Sequence, residues 1–437
     1  MRIKAQKLAG FRDFLPEDMK VREEVISAFK KVFSSYGYEP LETPALEYAE
    51  VLLGKYGDEA DKLIYKFKDP GGRMVAMKYD LTVPACRVLA EYANQLPLPF
   101  KRYQIQPVWR ADKPQKGRFR EFFQCDADSL GTASMLADGE FIQMCTDLFQ
   151  ALGFTKFVTR INNRKLINGF VKYAGGKEEQ FFDIVTSIDK LEKIGLEGVK
   201  SELNKRGIPK EVSQRILELI KPQGNTKELL KTYQKKLSSV PEATEGLEEL
   251  EEIFDYFQVV GVSEKYYQFS PSIVRGLAYY TGPVWETVIF EGGVGSVTGC
   301  GRYDKLIGMF LDRDIPATGG SFGFERIIEV MKDRRMIKAR GPAAKVLVTV
   351  FSPKLLEKSI KLATLIRYRI KVNCELYLDP NASLDKQLKY ADRKNIPYAA
   401  ILGPDEVKNK TITWKNLTTR TQETLPSDKL PKGLINI

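Results

Sequence analysis

The 437-residue sequence contains no histidine at all. This absence excludes Ser/His/Asp triads, histidine general bases and histidine metal ligands. Any chemistry on the chain must therefore use arginines, carboxylates, a bound ion or the substrate itself. Cysteine is scarce as well, and the five residues Cys86, Cys125, Cys145, Cys300 and Cys374 are scattered without a Cys-x-x-Cys pair. Their odd number and spacing argue against a disulfide framework and against a zinc site.

Long apolar runs are also missing. No segment approaches the roughly 18 consecutive apolar residues of a membrane span, and the start MRIKAQKLAGFRDFLPED has no apolar core of a signal peptide. With 43% hydrophobic and 29% charged residues, the sequence predicts a globular protein of the cytoplasm with no membrane partner. The length predicts two or three domains.

The net charge of +11 is unevenly distributed along the chain. Residues 331–437 contain 22 lysines and arginines but only 10 aspartates and glutamates, whereas the preceding 330 residues are nearly neutral. A basic module on a neutral body suits binding of a phosphate backbone, although a solvated basic surface is the alternative.

The stretch from Phe100 to Gly131, FKRYQIQPVWRADKPQKGRFREFFQCDADSLG, alternates polar and apolar residues on both sides of a connection with proline and glycine. Because successive side chains of a strand point to opposite faces, this period predicts a long β-hairpin. Its apolar face carries Tyr103, Ile105, Trp109, Phe119, Phe123, Cys125 and Ala127. Its polar face carries Arg102, Gln104, Gln106, Arg110, Arg118, Arg120, Phe122, Gln124, Asp126 and Asp128. Arginines suit phosphate oxygens, an aromatic ring suits stacking, and the amide and carboxylates suit a polar ligand. We therefore expect this face to carry chemistry rather than to be an ordinary solvated surface.

The hairpin resembles motif 2 of the class II aminoacyl-tRNA synthetases, in the form found in histidyl-tRNA synthetases. An amphipathic helix predicted for Pro16–Tyr36 and a strand from Tyr38 to Thr43, ending at Pro44, resemble motif 1, the dimer element of that class. The segment TGGSFGFERII, Thr318 to Ile328, resembles motif 3. It is not a dinucleotide fingerprint, since the G-x-G-x-x-G spacing is absent.

Three further segments resemble signatures of histidyl-tRNA synthetases. MKYDLTVPACRVLA, from Met77, resembles the Tyr-Asp-Leu-Thr segment of the eukaryotic and archaeal type, with Lys78 where arginine is usual; its Asp80 and Thr82 could alternatively cap the following helix. IVRGLAYYTGPVWE, from Ile273, resembles RGLDYYTG with Ala278 in place of the acidic residue. GCGRYDKL, from Gly299, resembles GGGRYD with Cys300 in place of a glycine.

The resemblance implies an α+β fold. A class II catalytic domain with an antiparallel sheet is expected over residues 1–330, with a helical insertion at 175–262 that could equally be a passive bundle. Residues 331–437 alternate strand and helix and resemble an α/β anticodon-binding domain, for which the pattern predicts parallel strands.

The implied reaction is activation of L-histidine by ATP to histidyl adenylate, followed by transfer to the 3′ end of tRNA(His). The resemblance implies Mg²⁺ on the phosphates of ATP and a homodimer. The site residues that it implies fall into three overlapping sets: catalytic Arg110 and Arg275; ATP-binding Arg110, Asp112, Arg118, Phe122 and Arg326; and histidine-binding Asp80, Thr82, Gln124, Asp128, Arg275, Tyr279 and Tyr280.

Two other classes of protein share some of these features. One is the inactive synthetase paralogue that regulates ATP phosphoribosyltransferase, and the other is a non-catalytic RNA-binding protein that uses only the basic tail. If the reaction is the implied one and Asp128 is not strongly perturbed, the substrate imidazole should account for any titration between about pH 5.5 and 7.5, because the chain supplies no imidazole.

Overall fold

The computed structural model describes residues 3–54, 61–114, 118–221, 224–274, 279–290, 293–337, 341–427, 429 and 431. The chain divides into two compact units, residues 1–337 and 338–437. In these described ranges, no helix is both long enough and apolar enough to cross a membrane.

The predicted hairpin is present at the centre of the first unit. Its strands pair antiparallel from Phe100 opposite Leu130 to Trp109 opposite Glu121. The strand bounds of this unit are β1 Glu39–Pro40, β2 Leu46–Tyr48, β3 Lys66–Lys68, β4 Met74–Met77, β5 Phe100–Trp109, β6 Glu121–Leu130, β7 Phe157–Asn163, β8 Tyr267–Phe269, β9 Pro283–Ile289, β10 Thr298–Arg302 and β11 Ala317–Phe322.

The main sheet has the strand order β1-β5-β6-β11-β10-β9-β7-β8. All strand pairs from β5 to β7 are antiparallel, whereas β1 and β8 join the two edges in parallel. The antiparallel sheet expected for the first unit is therefore confirmed. A separate, small antiparallel sheet has the strand order β2-β4-β3.

The helices of the first unit are α1 Pro16–Ser35, α2 Ala49–Leu52, α3 Thr82–Glu91, α4 Met135–Ala151, α5 Arg164–Ala174, α6 Phe181–Ile188, α7 Leu191–Lys205, α8 Lys210–Ile220, α9 Thr226–Lys236, α10 Pro241–Val260 and α11 Phe324–Asp333. Helix α1 begins at the predicted proline and packs Val25, Phe29 and Phe33 into the core against the apolar face of the hairpin. Helix α4 begins after Ser134, whose side chain accepts a hydrogen bond from the amide of Leu136.

The segment between β7 and β8 is helical from α5 to α10, and its apolar faces join the core cluster of the main sheet. The helices of this block pack closely against one another. A Cβ atom added at Gly169 would lie 2.5 Å from the Cβ of Ala243. A glycine is required there because α5 and α10 approach too closely for any side chain.

The second unit contains strands β12 Val346–Val348, β13 Cys374–Leu376, β14 Tyr398–Ile401, β15 Thr411–Asn416 and β16 Gln422–Pro426, with helices α12 Leu356–Leu365, α13 Leu384–Arg393 and α14 Pro404–Asn409. Strands β13, β12 and β14 are parallel, as predicted. The wholly parallel arrangement is wrong, however, since β15 and β16 are antiparallel. Each follows its neighbour through a short connection, which cannot cross over to form a parallel pair.

Candidate functional site

A cavity of about 630 Å³ opens on the polar face of the hairpin. Its wall is built from the residues that follow β5, from β6, the glycine-rich strands β10 and β11, the start of α11 and the segment before α3. Ten of the predicted site residues line it, drawn from five separate stretches of the chain: Asp80, Thr82, Arg110, Asp112, Arg118, Phe122, Gln124, Tyr279, Tyr280 and Arg326. Arg275 lies outside the described residues.

Arg110 is held in a fixed orientation at the end of β5. Its Nε donates to the carbonyl of Tyr79 at 3.0 Å, and its guanidinium lies 4.2 Å from the Tyr79 ring centroid and 5.1 Å from that of Phe122. Among the described residues, no carboxylate forms an ion pair with this guanidinium. A positioned cation of this kind suits an anionic ligand.

Two further arginines line the cavity. Arg118 is exposed, and Arg326 donates from Nη1 to the carbonyl of Ser296 at 2.7 Å. Asp112 is half-buried, and its backbone carbonyl accepts a hydrogen bond from Nε of Arg120. Arg120 is thus tied to the backbone, although the sequence pattern placed it on the chemical face.

Glu325, at the start of α11, fixes that helix to the hairpin. It accepts two 3.0 Å hydrogen bonds from Arg22 and lies 2.8 Å from Nη2 of Arg12. Burial would raise its carboxyl pKa, but the two guanidiniums outweigh burial and lower it. Arg12 also lies 3.3 Å from the ring centroid of Phe119 on the hairpin. Sequence reasoning missed both arginines, although Arg22 interrupts the apolar stripe of α1 at a position that faces the core.

The cavity wall also carries neutral and acidic groups. Asp80 accepts from the amide of Val83 at 3.2 Å, so the capping role left open by the sequence is realised, while the residue also lines the cavity. Gln124 donates from Nε2 to the hydroxyl of Ser321 at 3.1 Å. The rings of Tyr279 and Tyr280 lie 4.8 Å apart.

Asp128 does not line the cavity, contrary to the exposed polar face that the pattern predicted. It is fully buried beneath the wall, where one oxygen accepts a hydrogen bond from the hydroxyl of Tyr303 and the other lies 2.5 Å from Nη2 of Arg102. Tyr303 does line the cavity and so stands between Asp128 and any ligand. The sequence pattern placed Arg102 on the polar face of the hairpin and Tyr303 in the GGGRYD-like segment, but it did not predict that both would contact Asp128.

The strand β11 leaves room for this buried carboxylate. Gly319 is the partner of Asp128 across the sheet, and a Cβ atom there would lie 2.3 Å from its Oδ1. Burial raises the pKa of Asp128 to about 6, even though Arg102 and Tyr303 lower it. Burial likewise raises the pKa of Asp126, two residues earlier on the same face of β6, to about 7. Burial therefore raises the pKa values of two carboxyl groups into the range expected for the substrate imidazole.

The antiparallel sheet, the motif 2 hairpin with its arginine in the cavity, and the glycine-rich strand before α11 together define the catalytic fold of the class II aminoacyl-tRNA synthetases. Comparison with known proteins narrows this class. Residues 10–327 match the family model described as histidyl-tRNA synthetase, and residues 345–437 match that of the anticodon binding domain. The chain belongs to the histidyl-tRNA synthetase family.

Curated relatives cover almost the whole chain. A histidine–tRNA ligase of Cytophaga hutchinsonii is 38% identical over 98% of both chains, and one of Aeropyrum pernix is 43% identical over 92% of both. The crystal structure of histidyl-tRNA synthetase from Nostoc sp. PCC 7120 matches with a TM-score of 0.84 and 31% identity, covering 98% of each chain. The family, the fold class and the type of enzyme predicted from the sequence are confirmed.

Proposed function

We propose that this chain activates L-histidine with ATP to histidyl adenylate and pyrophosphate, and then transfers histidine to the 3′-terminal adenosine of tRNA(His). The observation that carries the proposal is the cavity itself. Its wall carries three arginines together with Asp80, Gln124 and a tyrosine pair. A nucleoside triphosphate and a small amino acid with a polar ring require both kinds of group.

The three arginines of the cavity suit the phosphates of ATP. Arg110 is proposed to hold the α-phosphate, Arg118 and Arg326 the outer phosphates, Phe122 to stack on adenine and Asp112 to lie near its amino group. Attack of a carboxylate on the α-phosphorus needs fixed cations and correct placement, not a protein base. The hydrogen bond from Arg110 Nε to the Tyr79 carbonyl supplies such placement before any ligand arrives.

The acidic, amide and tyrosine side chains of the cavity suit histidine. Asp80, Thr82 and Gln124 are proposed to bind the amino-acid group with Arg275, and Tyr279 and Tyr280 to enclose the ring. Asp128 is proposed to fix the ring through its buried charge, either directly after a side-chain movement or through the hydroxyl of Tyr303 that it holds. A site whose polar groups must be paired rejects analogues that lack the matching N–H.

The donor set in the cavity wall, which is rich in guanidinium groups, fits phosphate oxygens better than a metal cage. Mg²⁺ is accordingly proposed to be carried on the phosphates of ATP, since this ion keeps several waters and binds mainly to substrate phosphates. The basic second unit is proposed to bind the anticodon end of tRNA(His), the helical block at 175–262 to approach its acceptor end, and two chains to form a homodimer in the cytoplasm.

Two other functions are less well supported. A solved structure from Bacillus halodurans, named as an ATP phosphoribosyltransferase regulatory subunit/histidyl-tRNA synthetase, is 22% identical with a TM-score of 0.75 and therefore shows the fold alone. A regulatory paralogue would be expected to lose the motif 2 arginines and the anticodon module, and this chain keeps both. A purely RNA-binding protein would not need the ordered cavity.

ATP–pyrophosphate exchange, measured with each amino acid in turn, tests the proposal. We expect exchange that depends on histidine alone. Exchange with a different amino acid would refute the substrate, and a protein that binds tRNA(His) without any exchange would support the RNA-binding alternative.

A further inference from the structure

A row of buried polar side chains runs beneath the cavity on one face of β5. Arg102, Gln104 and Gln106 occupy alternate positions and therefore share that face. Arg102 and Gln104 are fully buried and Gln106 is half-buried. The row ends at Asp128 on one side and at Lys78, only 1% exposed, on the other. Buried polar groups of this kind are costly unless each finds a partner.

The members of the row are joined by continuous contacts. Nζ of Lys78 donates to Oε1 of Gln106 at 3.0 Å, and Nε2 of Gln104 donates to the same oxygen at 2.9 Å. Nη1 of Arg102 donates to Oε1 of Gln104 at 2.9 Å. Nη2 of Arg102 lies 2.5 Å from Oδ2 of Asp128, whose other oxygen holds the cavity residue Tyr303.

Two donors at the Lys78 end fix the direction of the row. The ammonium group of Lys78 and the backbone amide of Thr43, which donates at 3.1 Å, both require the oxygen of the Gln106 amide to face them. The amide nitrogen of Gln106 then donates to the carbonyl of Thr43 at 3.2 Å. Because Oε1 of Gln106 is an acceptor, Gln104 must present its nitrogen there and its own oxygen to Arg102. Arg102 lies opposite Asp128 across the hairpin, and the Gln104 oxygen supports the orientation that this register favours.

We propose that Lys78 is a positioning residue for histidine recognition, which orients Asp128 and Tyr303 through Gln106, Gln104 and Arg102. The inference rests on the proposed function of the cavity. The backbone supports it, because the amide of Lys78 bonds to the carbonyl of Ala45 and its carbonyl accepts from the amide of Trp109, both at 3.0 Å. The backbone of Lys78 is therefore anchored to β5 independently of the side-chain row.

The protonation of Lys78 provides a signature that a passive core residue would lack. Burial lowers its pKa to about 8, although Glu42 and Glu47 act in the opposite direction. The neutral amine formed above that pH can accept as well as donate, so Oε1 of Gln106 loses its charged donor and keeps only the neutral donors Thr43 and Gln104. We expect kcat/KM for histidine to fall as the pH rises through about 8, before the α-amino group of the substrate titrates.

The test compares Lys78→Met and Lys78→Arg in the full-length chain by ATP–pyrophosphate exchange. Lys78→Met should raise KM for histidine by about tenfold, because a buried polar group that loses its charged partner costs about that much in binding free energy. KM for ATP should stay within about twofold of the wild-type value. Lys78→Arg keeps a donor with a permanent charge, so it should retain activity and move the basic limb of the pH profile upward. Lys101→Met is the matched control, because Lys101 lies beside Arg102 on the other face of β5.

Three outcomes would overturn the proposal. In Lys78→Met, KM for histidine could stay unchanged, or KM for ATP could rise as much as KM for histidine. In Lys78→Arg, the basic limb of the pH profile could stay near pH 8. If Lys78→Met does not fold, the pH profile of Lys78→Arg decides alone. Failure of the proposed function would appear separately, as wild-type protein that shows no histidine-dependent exchange.

Discussion

Replacement of the buried Asp126 by asparagine should make stability less dependent on pH. Asp126 is 1% exposed, and within the described residues no hydrogen bond of good geometry reaches either carboxylate oxygen, although the nearby Ser321 hydroxyl lowers the pKa slightly. Burial dominates and raises the pKa from 3.8 to about 7, with the neighbouring Asp128 adding to the effect and Arg102 opposing it.

The sign of the effect follows from proton binding. Between about pH 4 and 7 the folded chain keeps a proton on Asp126 that the unfolded chain has released, so the free energy of unfolding falls as the pH rises. At about 1.4 kcal/mol per pH unit, the full difference amounts to about 4 kcal/mol above pH 7. The asparagine side chain of the variant would not titrate. We expect Asp126→Asn to be more stable than the wild type by about 2–4 kcal/mol at about pH 8, and to differ little at about pH 4.

Urea unfolding followed by tryptophan fluorescence measures this difference. The chain has three tryptophans, so a Trp414→Phe background leaves Trp109 and Trp285 to report on the first unit. Asp13→Asn is the control, since the side chain of Asp13 is 79% exposed. A stability difference that does not change with pH, or a variant that is destabilised at pH 8, would show that the folded protein holds Asp126 as a stabilised anion and would refute the reasoning.

Three other changes test the site. Arg110→Ala should slow histidine-dependent exchange by at least about 100-fold, by comparison with loss of one oxyanion donor, whereas Arg73→Ala on the surface should not; wild-type exchange in Arg110→Ala would exclude the motif 2 role. Asp128→Ala should lose discrimination between histidine and ring analogues as well as rate, measured as the ratio of kcat/KM values, and an unchanged ratio would move ring recognition to other residues. A chain that ends at residue 337 should keep its helical circular dichroism and some exchange but charge tRNA(His) poorly at low concentration; equal tRNA affinity in a filter-binding assay would contradict this.

Local sequence patterns were sufficient for the elements whose partners lie close in the chain. The two-residue period from Phe100 to Leu130 predicted the hairpin, and Pro16 marked the start of α1, because both signals depend on neighbouring residues. The short β1 shows the limit: a strand was predicted from Tyr38 to Thr43, but only Glu39 and Pro40 pair. Edge pairing depends on the partner strand as much as on propensity.

The missing parts of the site depend mainly on contacts between distant segments. Arg102 faces Asp128 across the predicted hairpin, but nothing near Asp128 in sequence indicates that β11 will lie beside it or that Tyr303 will contact it. The expectation that only the substrate titrates near neutral pH assumed an unperturbed Asp128, and burial invalidates that assumption, since Asp126 and Asp128 have raised pKa values. Burial is a property of the assembled sheet, so the alternation of residues could not reveal it.

The glycine-rich floor of the cavity has a consequence for inhibition. Gly299, Gly319 and Gly320 expose peptide groups rather than side chains to a ligand. Added Cβ atoms would collide with Asp128 at 2.3 Å or with Cys300 at 2.5 Å, so substitution at either of the last two positions would disturb the sheet itself. An inhibitor anchored on this floor would therefore leave few viable routes to resistance, because a mutation that altered its contact surface would damage the enzyme as well.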